Sequence, residues 1–137
     1  MSPEIQAFTN AVGIVLTHLG VTMALLIGGA TIYALITPHK ELAQIRQGNA
    51  AAAVSFGGVI VALALPLALS LAASTTLIEV GLWGVMSVAV QLLVFRLTDM
   101  VLSGLPKRIA EGEMAAAVVL VSAKLATAMI FAAAVAG

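Results

Sequence analysis

The chain has 137 residues, 62% of them hydrophobic and 9% charged, with no net charge and no cysteine. A soluble domain of this length carries about 25% charged residues, so this composition, with a mean hydropathy of +1.17, excludes a water-soluble globule. It also excludes disulfides, thiolate metal sites and a cysteine nucleophile, and the balanced charge gives no pull toward nucleic acid.

Crossing a hydrocarbon layer of about 30 Å takes about 20 mostly apolar residues in a helix. Four runs meet that length: residues 7–36, 50–73, 77–104 and 114–136. The expected fold is all-α, a polytopic membrane protein of four transmembrane helices forming one domain over residues 1–137. Met1-Ser2-Pro3-Glu4 has no Lys or Arg ahead of the first run. A cleavable signal peptide needs a basic start and a shorter apolar stretch, so residues 7–36 read as a retained first span.

Within that span Gly20, Ala24 and Gly28 recur every fourth residue. They offer a face for close helix approach, and a homo-oligomer is expected. His18 is the span's one ionisable outlier, and Tyr33 near its end suits an interfacial aromatic belt. Thr37-Pro38-His39 ends the span, because the residue before a proline is pushed out of helical geometry. Residues 37–41 then read as a turn into a short surface helix, with Glu41 near its positive end. His39, Lys40, Glu41 and Arg46 form a candidate docking site there.

Gly48-Asn49 precedes the second span, which Pro66 should kink. Ser74-Thr75-Thr76 separates it from the third, where Trp83 suits the opposite interface. Gly104-Leu105-Pro106 should stop the third span, and Gly112 precedes the fourth. The decamers beginning at Ile45 and Ile109 are identical at six of ten positions, including Ile-x-x-Gly and the alanines that follow. This predicts two duplicated hairpins, residues 7–73 and 77–136, as a parallel repeat. Lys40 and Arg46 lie in the first loop, Lys107 and Arg108 in the third, and none in the middle loop. The positive-inside rule then puts loops one and three in the cytoplasm and both termini outside.

Three charges fall within the spans: Arg96, Asp99 and Lys124. Each costs at least about 2.5–3.5 kcal/mol to insert and should face the bundle interior or water. Counted from the cytoplasmic helix ends, they lie roughly 13, 9 and 15 Å deep. With Gln91 they form a candidate intramembrane polar cluster. One reading is an ion or solute pathway. The other is structural, with Arg96 paired to Asp99 and Lys124 snorkelling toward water. The matching positions of the first hairpin, Ile32, Leu35 and Ile60, are apolar, which assigns any polar site to the second half. His18 and Glu79 allow a contact near the outer surface, and two histidines without cysteine match no metal spacing. No nucleophile elbow, zinc-protease motif or phosphate loop is present, so no catalytic residue, cofactor or enzyme activity is expected.

The segment Ile32-Tyr33-Ala34-Leu35-Ile36-Thr37-Pro38-His39-Lys40-Glu41, then Gly48-Asn49-Ala50-Ala51-Ala52, resembles the YjfL family. These are small bacterial inner-membrane proteins known as domain of unknown function 350. The likeness continues through Pro66, Leu82-Trp83-Gly84, Gln91-Leu92-Leu93-Val94-Phe95 and the alanine-rich last span. It implies an inner-membrane location and a duplicated two-span unit, and brings no established activity. Through members encoded near PspA-like membrane-stress proteins, it also implies envelope maintenance and a cytoplasmic PspA-like partner. The expected function is a non-enzymatic membrane scaffold acting through loops one and three; the alternative is a small ion channel or solute transporter using the Arg/Asp/Lys cluster.

Overall fold

A hydroxyl opens the first helix: Ser2 Oγ accepts from the amide of Ile5, and Pro3 occupies the first turn, where no amide hydrogen is needed. The computed structural model describes all 137 residues as six helices. They are α1 (Pro3–Ile36), α2 (Glu41–Arg46), α3 (Ala50–Ala73), α4 (Leu77–Val101), α5 (Gly104–Ala110) and α6 (Met114–Ala136). Four of them, α1, α3, α4 and α6, are long and apolar enough to cross a membrane. At 1.5 Å per residue α3, α4 and α6 measure roughly 35–38 Å and α1 roughly 51 Å. Residues 1–20, the cap and first half of α1, are exposed except for part-buried His18.

Short helices α2 and α5 lie at one end of the bundle, each ending in the same turn. Gly48 (φ 87°) and Gly112 (φ 85°) take the left-handed conformation. Gly48 N donates to Ile45 O and Asn49 N to Gln44 O; Gly112 N donates to Ile109 O and Glu113 N to Arg108 O. This is the Schellman arrangement, in which glycine has no side chain to clash. Asn49 then caps α3 through Ala52 N and donates from its amide to Ile109 O, tying the two turns together.

Two span boundaries differ from expectation, the start of α1 at Pro3 and the end of α4 at Val101. Helix α4 ends at Val101, and Gly104-Leu105-Pro106 starts α5 instead of merely stopping a span. Pro106 is tolerated there because the first-turn amides have no intrahelical acceptor. Helix α2 begins three residues after Pro38, at Glu41, with Lys40 held at φ 43° before it.

Helix α3 packs most extensively on α6, as parallel neighbours. Ala51, Ala52, Ala116 and Ala117 are all but fully buried where they meet. Small size is required: a Cβ on Gly58 would sit 2.4 Å from Val121 Cγ1, and one on Gly84 2.4 Å from Leu25 Cδ1. The stripe Gly20, Ala24, Gly28 is not closely packed: Ala24 and Gly28 border an open groove between α1 and α4. Gly20 and Gly28 face open space, and Gly29, one residue around the helix, meets Val88.

Candidate functional site: a shared charge cluster in the bundle

The buried positions of α6 are Ala116, Ala117, Leu120, Lys124, Ala128 and Ala132, spaced by one, three and four residues. One helical face therefore carries a lysine amid alanine and leucine. Lys124 is 1% exposed. Its Nζ lies 2.8 Å from Asp99 Oδ1 and donates to Tyr33 Oη, also at 2.8 Å. The Asp99 approach has ion-pair distance without hydrogen-bond alignment. Phe95 packs beside the ammonium, its ring centroid 5.8 Å from Nζ, near enough for cation–π attraction. Tyr33 and Phe95 meet edge to face at 6.1 Å and 89°.

The tyrosine passes the contact on. Tyr33 Oη donates to Glu41 Oε1 at 3.4 Å, and Ser55 Oγ donates to the same oxygen at 3.1 Å. Glu41 Oε2 is buried without a partner. Burial raises the Glu41 carboxyl above its ordinary value, opposed by the Lys124 ammonium and the Ser55 hydroxyl. The cluster therefore comprises one ammonium, two carboxyls and a phenol, neutral overall when one carboxyl keeps its proton.

The structure changes the expected pairing. Of the candidate cluster, Asp99 and Lys124 come together, and Arg96 is exposed on the outer face of α4. The buried face of α4 runs Gly84, Ser87, Val88, Gln91, Phe95. Asp99 continues it one turn on. Arg96 is offset by roughly 100° from Phe95, enough to turn it outward. The two cations have thus exchanged the roles expected of them: Lys124 is paired, and Arg96 is the long side chain free to reach an interface.

Gln91 is fully buried but serves another purpose, donating from Nε2 to Ala62 O at 3.2 Å. Pro66 has no amide hydrogen, so the carbonyl four residues before it lacks its helical partner. Gln91 supplies one.

The docking set is divided as well. Lys40 and Arg46 are exposed and His39 is half-buried. Glu41 is 8% exposed and turned into the bundle, so the surface helix hides its first side chain. Left-handed Lys40 makes the reversal that aims Glu41 inward. Arg108, on α5, forms a two-pronged salt bridge with Glu113, which holds the guanidinium above and the carboxyl below their ordinary ranges. Glu79 accepts from Thr75 N and Oγ1 as a local cap, and not from His18, the contact the sequence allowed.

Sequence reasoning missed Tyr33 and Ser55 as site residues. Tyr33, expected at an interface, is 2% exposed. The signal was present: Tyr33 is the chain's only tyrosine, and it and Glu41 bracket the segment that carries the family resemblance. The expectation that the polar site belongs to the second hairpin alone also fails. Tyr33, Glu41 and Ser55 come from α1, α2 and α3, Asp99 and Lys124 from α4 and α6.

A four-span helical bundle with a buried charge cluster places the chain among small polytopic membrane proteins. The family described as Domain of Unknown Function (DUF350) matches residues 7–135, and the chain belongs to it. It is 30% identical over 95 residues to the UPF0719 inner membrane protein YjfL of Escherichia coli (strain K12), covering 69% of this chain and 72% of that one. YjfL of Escherichia coli O157:H7 matches equally. No solved structure matches.

Proposed function

We propose that this chain is a non-enzymatic inner-membrane protein that moves a small ion across the bilayer, with Lys124, Asp99 and Tyr33 as its intramembrane site and Glu41 of α2 at the site's mouth. The observation that carries this reading is the burial of Lys124 at 1% exposure, in contact with Asp99 and Tyr33. A protein needing only a stable bundle would place alanine or leucine there, because charge costs at least about 2.5–3.5 kcal/mol at mid-bilayer. The test is flux into vesicles reconstituted with the purified full chain. Lys124→Met should abolish it while the variant still inserts and folds; flux unchanged in that variant would refute the assignment.

A second reading, an anchor for a cytoplasmic PspA-like partner in envelope maintenance, draws on the exposed Lys40, Arg46 and Lys107 at the α2/α5 end. Both readings share one topology: that end in the cytoplasm, the termini outside, and hairpins 7–73 and 77–136 duplicated in parallel. The matched turns at Gly48 and Gly112 support the duplication, and the loop cations support the orientation. Open space at Gly20 and Gly28 supports a homo-oligomer packed through α1. A reporter active only in the cytoplasm, fused to the C-terminus, should stay silent. Detergent-corrected mass should exceed one chain.

A further inference from the structure

Between the charge cluster and the far end of the bundle, polar side chains continue. Gln91 is 0%, Ser87 0% and Ser70 2% exposed. Gln91 Oε1, Ser87 Oγ and Ser70 Oγ have no hydrogen-bond partner. Other hydroxyls of the spans behave differently: those of Thr17, Thr22, Thr31, Thr98 and Ser122 each donate to a carbonyl one turn back. An unpaired hydroxyl in a membrane interior costs several kcal/mol unless something satisfies it. Three such atoms on the facing surfaces of α3 and α4 therefore call for a polar guest.

Their spacing identifies it. Gln91 bonds to Ala62 O, which fixes the register of the antiparallel helices α3 and α4. Ser87 is one turn along α4, roughly 6 Å farther from Lys124, and Ser70 is two turns along α3 from Ala62, roughly 12 Å. The three residues are thus stepped by roughly 6 Å along the bundle axis, a step that one or two hydrogen-bonded waters cover. Ser70 in turn lines a small cleft of about 50 Å³ with Ser74, Glu79 and Trp83 at the end of the bundle opposite α2 and α5. At the other end the cluster passes through Tyr33 and Glu41 to Ser55, near the start of α3.

We propose that water bridges Gln91, Ser87 and Ser70 into a single file that continues the charge cluster to the Glu79 cleft, and that the ion carried is the proton. Hydroxyls and waters each accept a proton on one side as they release one on the other. One proton enters the file and one leaves it, with no other bond changed. Single oxygens, one at each level, do not surround a dehydrated metal cation or chloride, whereas a proton passes along such a file without being surrounded. The inference rests on the ion-moving reading above and names its substrate and route.

The experiment uses the full chain in vesicles loaded with a pH-sensitive dye, with a potassium gradient and valinomycin driving proton entry. Wild-type protein should acidify the lumen. Joint Ser70→Ala and Ser87→Ala substitution should slow this at least about tenfold, and joint Ser70→Thr and Ser87→Thr substitution, keeping both hydroxyls, should largely restore it. If the alanine pair fails to fold, Ser87→Ala alone is read against Ser87→Thr. Proton entry equal in the alanine and wild-type proteins would overturn the route. Lys124-dependent flux of potassium or chloride without proton entry would overturn the proton and leave the ion-moving reading standing. No flux of any ion would overturn both.

Discussion

An ammonium on a face of alanines is tolerable only while its counter-charge stays in place. Removing one partner of a buried ion pair costs about 3–5 kcal/mol, whereas replacing both with apolar groups is often neutral. Asp99→Asn should therefore destabilise the bundle by roughly 3 kcal/mol, and Lys124→Met combined with Asp99→Leu should recover most of that loss. Chemical denaturation in detergent reads the cycle; additive effects of the two changes would refute the pairing. Glu41 makes a separate prediction. Burial raises its carboxyl above the ordinary value of 4.5, so the folded chain holds that proton more tightly than the unfolded one. Its stabilising contribution is complete below 4.5 and is lost as pH rises through the raised value. Glu41→Gln should flatten the melting-temperature profile above pH 4.5, with the wild type losing stability as pH rises from there; superimposable profiles would count against a buried Glu41. Of this site the sequence disclosed the ionisable residues but not their partners. Arg96 and Asp99 are three apart and looked like neighbours, yet which of two adjacent stripes of α4 faces inward depends on packing against α3 and α6. Tyr33 and Glu41 reach Lys124 across 91 and 83 positions of chain, and no local pattern reports that.

At the level of elements, apolar length and punctuation were enough for the four spans, because a membrane helix must satisfy its backbone internally. The start of α1 and the end of α4 moved by only a few residues. Helix α5 was hidden because Gly104-Leu105-Pro106 reads equally as a stop or as a first turn. The glycines at 48 and 112 were legible as boundaries, and the structure gives the reason: each closes a left-handed turn. Gly48→Ala and Gly112→Ala should each cost about 1–2 kcal/mol, the penalty for a side chain in that conformation. Equal stability after either change would argue against the turn. Gly58 has a different duty. Gly58→Leu would drive a side chain into Val121 and should push α3 from α6, costing about 1–3 kcal/mol or more. The same substitution at Gly57, which faces open space, should be nearly silent, and thermal melts of the two variants separate packing from helix propensity.

For the whole molecule, the arrangement that matters is how the cluster is divided. The first hairpin brings a phenol, a carboxyl and a hydroxyl; the second brings the ammonium and its carboxylate. Neither half can complete the set, and α6 leaves the translocation machinery with a lysine near its middle. Membrane insertion of α6 by itself should be inefficient; α4 improves it by offering Asp99, and the first hairpin improves it further by offering Tyr33. Expressing the two hairpins as separate polypeptides makes this measurable: the second should be degraded when made alone and protected when the first is present. Protection should weaken when Tyr33→Leu is introduced into the first hairpin. The buried charges would then act as an assembly checkpoint, marking an unpaired hairpin for removal.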